Sequence, residues 1–188
     1  MKPILLEFPD QFYTERLFIR MPLPGDGKAV YQAMQASLHE LKEWMPWAHR
    51  EQTEEDVEAN IREAHAKFLT REDLRLHIFH RETMEFIGSS GMHRINWMIP
   101  KFEIGYWIDT RFSRKGYITE AAEAITKFAF NELNAKRVEI RCDSKNIKSR
   151  AIPERLGFTL EGILQNDEIS ANSQDLRDTC IYAKITQN

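Results

Sequence analysis

The chain has 188 residues, 42 % of them hydrophobic and 11 % aromatic, which suits one domain with its own core and excludes disorder as a description of the whole. Its 26 Lys and Arg against 29 Asp and Glu leave a formal charge of −3, so no global positive field exists to hold nucleic acid, and no nucleic-acid partner is expected. No run approaches the roughly eighteen apolar residues that span a bilayer. The opening MKPILLEFPD is too short in apolar residues for a secretory signal, which points to the cytoplasm and away from membranes. Cys142 and Cys180 stand far apart with no CxxC, so neither a disulfide scaffold nor a structural zinc site is expected.

Arg16–Met21 alternates as a strand, PLPGDG turns the chain, and Asp26 or Gly27 opens a helix carrying Val30, Met34 and Leu38 on one face. LKEWMPWA breaks at Pro46. Thr53, with Asp56 three positions on, marks the start of a helix to about Arg71, with Val57, Ile61, His65 and Phe68 as its stripe. Leu74–His80 and Glu85–His93 read as strands joined by a polar turn, and Lys101–Asp109 as a third, together an antiparallel meander. The basic segment RFSRKGY follows, and Thr119 precedes a helical stripe of Ala122, Ile125, Phe128, Ala129 and Leu133. Lys136–Cys142 is the next strand, Asn146–Leu156 a short helix closed by Gly157, Phe158–Ile163 a strand, and a last strand lies near Leu176–Ile185. Helices set between strand runs, with no repeat or linker dividing them, predict a single α+β (mixed α/β) domain over residues 1–188, built on one sheet.

Several possible sites fall away on spacing. Gly88–Gly91 reads GSSG and lacks the G-x-S-x-G of a nucleophile elbow. His77 and His80 project to opposite faces of a strand and do not share a metal ion, so no metal site is expected. The acids of TEEDVE sit where a helix dipole favours them, as a solvated cap. Neither GxGxxG nor GxxxxGK[ST] occurs. The strand–RFSRKGYITEAA–helix unit remains: backbone N–H groups entering a helix form an anion site that Gly116 leaves open to a phosphate, although the same spacing fits a plain solvated turn.

EIGYWID, RKGYITEA, NIKSRAIPERLGFTLEG and a closing strand, preceded in order by RLFIRMPLPGD and HELKEWMPWA, resemble the GNAT N-acetyltransferase superfamily, specifically its RimJ/RimL-like ribosomal-protein N-acetyltransferases. The resemblance implies a bent, mostly antiparallel sheet with a central parallel strand pair that splays to admit acetyl-CoA, flanked by helices. It implies coenzyme contacts from Trp107, Ile108, Ser113, Arg114, Lys115, Gly116, Tyr117, Ile118, Thr119 and Asn146, with the diphosphate on the loop before the Thr119 helix. Ser113 stands at the family's basic or amide position, Arg114 at a frequent glycine and Ile118 at the last small residue. Backbone donors do not depend on side-chain identity, and Arg114 and Lys115 add positive charge.

Acetyl transfer to an amine needs a deprotonated nucleophile, a stabilised oxyanion and a proton for the departing thiolate. By the same resemblance Ser149 matches the residue that protonates the thiolate, and Glu168 the general base. Glu103, which shares a strand face with Gly105 and Trp107, is the rival base, and solvent a third choice. The oxyanion donor is expected among the backbone N–H groups of Gly105–Asp109. Asn146 contacts pantetheine amides or caps its helix, or does both. Trp44 and Trp47 flank Pro46 and either wall the acceptor site or pack in the core. The expected acceptor is a protein N-terminus of the ribosomal-protein type. A small amine such as a polyamine or amino sugar, and a non-catalytic acetyl-CoA-binding domain, are the alternatives, and a homodimer is compatible with either.

Overall fold

In the computed structural model, which describes residues 2–186, the chain opens with β1 (Gln11–Tyr13) and β2 (Leu17–Arg20), then α1 (Gly27–Ala36), α2 (Leu38–Trp44), a 3-10 turn at Pro46–His49 and α3 (Glu54–Thr70). The meander follows as β3 (Leu74–His80), β4 (Phe86–Asn96) and β5 (Lys101–Ile108). The remaining elements are α4 (Tyr117–Glu132), β6 (Arg137–Asp143), α5 (Ile147–Arg155), β7 (Thr159–Ile169) and β8 (Leu176–Ile185). Eight strands form one sheet in the order β1-β2-β3-β4-β5-β6-β8-β7. Every neighbouring pair is antiparallel except β5 and β6. No helix among the described residues is long and apolar enough to cross a membrane.

The parallel pair is brief. Lys101, Phe102, Glu103 and Ile104 face Arg137, Val138, Glu139 and Ile140, and the pairing then ends although both strands continue. Each tail stays bonded on its outer side, β5 to β4 as far as Ile108 and β6 to β8 as far as Asp143. A gap therefore opens inside the sheet between two strands that are each held elsewhere.

Helix α4 covers one face. Its small residues Ala121, Ala122 and Ala129 bring the helix close, so Ile125 and Phe128 pack in one core with Met92, Phe102, Ile104, Val138 and Ile140. A second core, with Val30, Met34, Val57 and Ile61 against Phe18, Phe79 and Phe86, seats α1 and α3. Helix α3 begins as its sequence predicts. Thr53 Oγ1 accepts from the Asp56 N–H at 3.1 Å, and the Asp56 carboxylate accepts from the Thr53 N–H at 2.8 Å.

Four expectations need correction. His65 is not part of the buried stripe of α3: Ala64 is, and the His65 ring hydrogen-bonds Pro22 O at 2.8 Å. Leu38 belongs to α2 because the chain bends at Ser37. Helix α4 starts at Tyr117, ahead of Thr119, because Gly116 adopts the left-handed conformation and serves as its N-cap. β7 runs on to Ile169, so Glu168 lies on a strand and not in a loop; irregularities between Leu160 and Gly162 and between Leu164 and Glu168 let the strand absorb its polar stretch without losing β8.

Asp26 sits at the start of α1 without capping it, and its carboxylate instead joins three elements. It accepts from Arg20 at 2.6 and 2.8 Å, from the Leu23 N–H at 3.0 Å and from His77 Nδ1 at 2.8 Å. Burial opposes its ionisation, but the bonds from His77, Arg20 and Leu23 outweigh burial and hold the carboxyl well below the usual carboxylate range. Asp26→Ala leaves a nearly buried guanidinium without its anion. Thermal unfolding should show a loss of about 3 kcal/mol, or roughly 6–12 °C in melting temperature. Because the folded-state pKa is depressed, this contribution is present above the ordinary carboxylate value and fades as pH falls below about 3.9, so the variant should lose less stability in acid than the parent.

Candidate active site

The loop between β5 and α4 gathers the first part of the site. Arg114 and Gly116 both have positive φ, 62° and 81°, which turns successive N–H groups to one side. Glu120 makes the first bond of α4, to Gly116 O at 3.1 Å, so the N–H groups of Tyr117, Ile118 and Thr119 lie ahead of the helical ladder and are available to an anion. The side chains of Tyr117 and Ile118 are buried in the core, so the bulk of Ile118 leaves the loop's outer face clear. Ser113 is half-buried, and Arg114 and Lys115 are exposed.

This loop is tied to the first strands of the sheet. Arg16 Nε donates to Glu120 Oε2 at 2.7 Å, Arg16 Nη1 donates to Lys115 O at 2.9 Å, and Thr14 Oγ1 donates to Glu120 Oε1 at 2.6 Å. The Arg16 guanidinium also lies over the Tyr117 ring, 4.6 Å from its centroid. Nothing local in the sequence marks Arg16 for this role.

The gap between β5 and β6 is the second part. It opens into a cavity of about 940 Å³, lined by Gly105, Tyr106 and Trp107 on one side, Arg141, Cys142 and Asp143 on the other, and Asn146 and Ser149 of the α5 turn. The Asp109 N–H is bonded to Ile87 O at 2.8 Å, and ladder alternation then aims the N–H groups of Tyr106 and Ile108 at the gap. The expected set of oxyanion donors narrows accordingly, and Asp109 leaves it. Asn146 does cap α5: its Oδ1 accepts from the Ser149 N–H at 3.0 Å.

Ser149 is held by a residue that the sequence did not single out. Its Oγ donates to the Tyr106 hydroxyl at 3.3 Å, and that hydroxyl donates to Ser149 O at 3.0 Å. The carbonyl is free because Pro153, four residues on and inside the helix, has no N–H to offer it. Burial pushes the Tyr106 phenol well above its ordinary pKa, so it stays protonated. Cys142, beside Ser149, has its thiol pushed up to about 11, mainly by burial, and remains a neutral lining group.

The face of β5 opposite Tyr106 carries Glu103, Gly105 and Trp107. Trp107 meets Trp47 edge-on at 5.9 Å and Phe86 at 5.7 Å, so its side chain points away from Ser149. Trp44 and Trp47 both line the cavity. Ile108 packs against the core under α4, with only its backbone at the gap. Glu103 is mostly buried between Arg94 at 3.6 Å and Arg141 at 3.5 Å and does not line the cavity; burial raises its pKa against the pull of both arginines. Glu168 does line it, paired with Arg177 and lying 3.8 Å from Arg94. His93 of β4 joins this wall with its Nδ1 on Asp73 at 2.6 Å. Among the described residues, no three His, Cys, Asp or Glu side chains are grouped to hold a metal ion.

The sequence profile of the acetyltransferase (GNAT) domain matches residues 16–159. YdaF of Bacillus subtilis (strain 168), named as a ribosomal N-acetyltransferase, is 30 % identical over 150 residues, covering 79 % of this chain and 81 % of that protein. The ribosomal-protein-serine acetyltransferase of Escherichia coli (strain K12) is 28 % identical over 172 residues, covering 92 % and 94 %. Among solved structures, the microcin C7 self-immunity acetyltransferase MccE in complex with acetyl-CoA and AMP superposes with a TM-score of 0.84 at 25 % identity, covering 92 % of this chain and 94 % of that one.

Tyr106→Phe removes the donor to Ser149 O and should lower stability by about 1–3 kcal/mol in chemical denaturation. Adding Pro153→Ala restores a helical N–H to that carbonyl and should recover part of the loss. An equal loss in both backgrounds would show that the carbonyl is satisfied elsewhere.

Proposed function

The chain belongs to the GNAT acetyltransferase family and is an N-acetyltransferase, and on that premise we propose that residues 1–188 form one domain that moves the acetyl group of acetyl-CoA to the α-amine of a protein N-terminus. The observation that carries this reading is the meeting of two features: a helix start preceded by a left-handed glycine, and a sheet gap that begins four residues into a parallel pair. The first suits a diphosphate, the second an extended pantetheine arm whose amides replace the absent ladder partners. A second cavity of about 380 Å³, lined by Thr119, Lys127, Arg155 and Lys184 among others, offers positive charge suited to the nucleotide end.

In this reading the N–H groups of Tyr106 and Ile108 receive the thioester oxyanion, and the Ser149 hydroxyl, steadied by Tyr106, delivers a proton to the leaving sulfur. Glu168, between Arg94 and Arg177 at the acceptor side, orients the incoming ammonium. The protein acceptor is supported by the relatives named for ribosomal-protein acetylation. A small-molecule amine is the second reading, favoured by the wall of Trp44, Trp47 and Trp107, which offers rigid flat area, and by MccE, which holds AMP together with acetyl-CoA.

Thiol release from acetyl-CoA should require an amine. A peptide with a free N-terminal serine should support it and its N-terminally blocked form should not; spermidine or an amino sugar acting in its place would establish the second reading. Gly116→Asp puts a Cβ and a negative charge at the loop, so acetyl-CoA binding measured by calorimetry should weaken at least about tenfold. Ser149→Ala should lower kcat by about 10²–10⁴-fold while the affinity for acetyl-CoA stays within a few fold.

A further inference from the structure

An α-amine has a pKa of about 7.7–8.0, so near neutral pH most of it carries a proton that some group must remove before attack. The two carboxylates expected as the base are already engaged: Glu168 by Arg177 and Arg94, and Glu103 by Arg94 and Arg141 outside the cavity. His93 differs. Its Nδ1 lies 2.6 Å from Asp73 Oδ2, and an ionised carboxylate only accepts, so Nδ1 must carry the hydrogen of the neutral ring. The other nitrogen, Nε2, is then a lone-pair acceptor, and it has no hydrogen-bond partner among the described residues.

The ring lies directly over the edge of the gap. Gly105 has no side chain, and a Cβ there would stand 3.4 Å from His93 Cδ2 and 3.7 Å from Nε2. Gly105 adjoins Tyr106, whose N–H faces the gap, so Nε2 is on the acceptor face of the strand that would hold the thioester carbonyl. Asp73, immediately before β3, and Glu103, the cross-strand neighbour of His93, are carboxylates beside this imidazole; Arg94 is the adjacent cation.

We propose that His93 is the general base of the reaction and that Asp73 is its positioning residue, an assignment that rests on the acetyl-transfer reading of this cavity. Nε2 takes one proton from the acceptor ammonium, and the freed amine forms the C–N bond at the thioester carbon. The C–S bond breaks, the remaining extra proton on nitrogen reaches sulfur through the Ser149 hydroxyl, and the proton on Nε2 returns to solvent. Amide, thiol and one released proton balance the ammonium and thioester that entered.

The test combines kinetics with a measurement that needs no turnover. With the free-serine peptide, or spermidine if that is the accepted amine, His93→Ala should lose about 10²–10⁴-fold in kcat with acetyl-CoA affinity and melting temperature unchanged, and free imidazole in the assay should restore part of the loss. Asp73→Asn should fall between parent and His93→Ala. Nitrogen-15 NMR of the parent should find the neutral His93 ring protonated on Nδ1, and Asp73→Asn should mix the tautomers. Wild-type kcat in His93→Ala, or a neutral ring protonated on Nε2, overturns the assignment. A loss confined to Glu168→Gln and relieved as pH rises transfers the base role to Glu168. If the parent releases no thiol with any amine, the acetyl-transfer reading is what fails, and the tautomer measurement still decides whether Asp73 presents Nε2 as an acceptor.

Discussion

The site depends on one constraint, that β5 and β6 run together for only four residues. Beyond Ile104 and Ile140 each strand continues in register with an antiparallel neighbour on its outer side, so the two right-handed twists carry the strands apart. Backbone groups that would have paired across the sheet face a cavity instead, which a folded chain tolerates where water or a ligand can satisfy them. Helix α4 packs over the paired portion and fixes the closed end of the opening, and the same helix presents its N-terminus to the loop that follows β5. The exposed start of α4 and the opening in the sheet are thus set by one short ladder and one helix.

Around this opening several polar side chains hold one another across elements. Tyr106 and Ser149 satisfy each other across the gap, and the vacancy that Pro153 leaves in the α5 ladder is what makes the Ser149 carbonyl available. Arg16 and Thr14 direct polar atoms to Glu120 and Lys115, so the loop before α4 is anchored to the turn between β1 and β2 at one end of the sheet order. The Glu168–Arg177 and Glu103–Arg141 pairs occupy both expected carboxylates, whereas Nε2 of His93 has no hydrogen-bond partner among the described residues.

Much of this was legible in the sequence where the information is local. The alternation of KFEIGYWID and the Thr53–Asp56 box each act through neighbours within a few residues, and β5 and α3 formed at or near the expected places. The expected roles of Glu103 and Glu168 came from strand alternation and family resemblance, neither of which reports what sits opposite: Arg94, Arg141 and Arg177 reach them from other strands. The His93–Asp73 and Tyr106–Ser149 contacts join residues 20 and 43 positions apart, and each depends on strand register, which periodicity alone does not fix. One signal was present and unread, the proline four residues after Ser149, which announces a carbonyl in need of a donor.

The divided sheet also bears on how the protein opens. Two antiparallel ladders, β1 to β5 with α1 and α3 and β6 to β8 with α5, meet through four rungs, the packing of α4 and the side-chain contacts Tyr106–Ser149, Glu103–Arg141 and Arg94–Glu168, so the seam between them is the natural line of local unfolding. The coenzyme arm proposed for the gap would supply the missing rungs between them. Occupancy as proposed would stabilise the folded state by mass action and tie the two ladders into one cooperative body, so the seam that yields first is the one such a substrate would close.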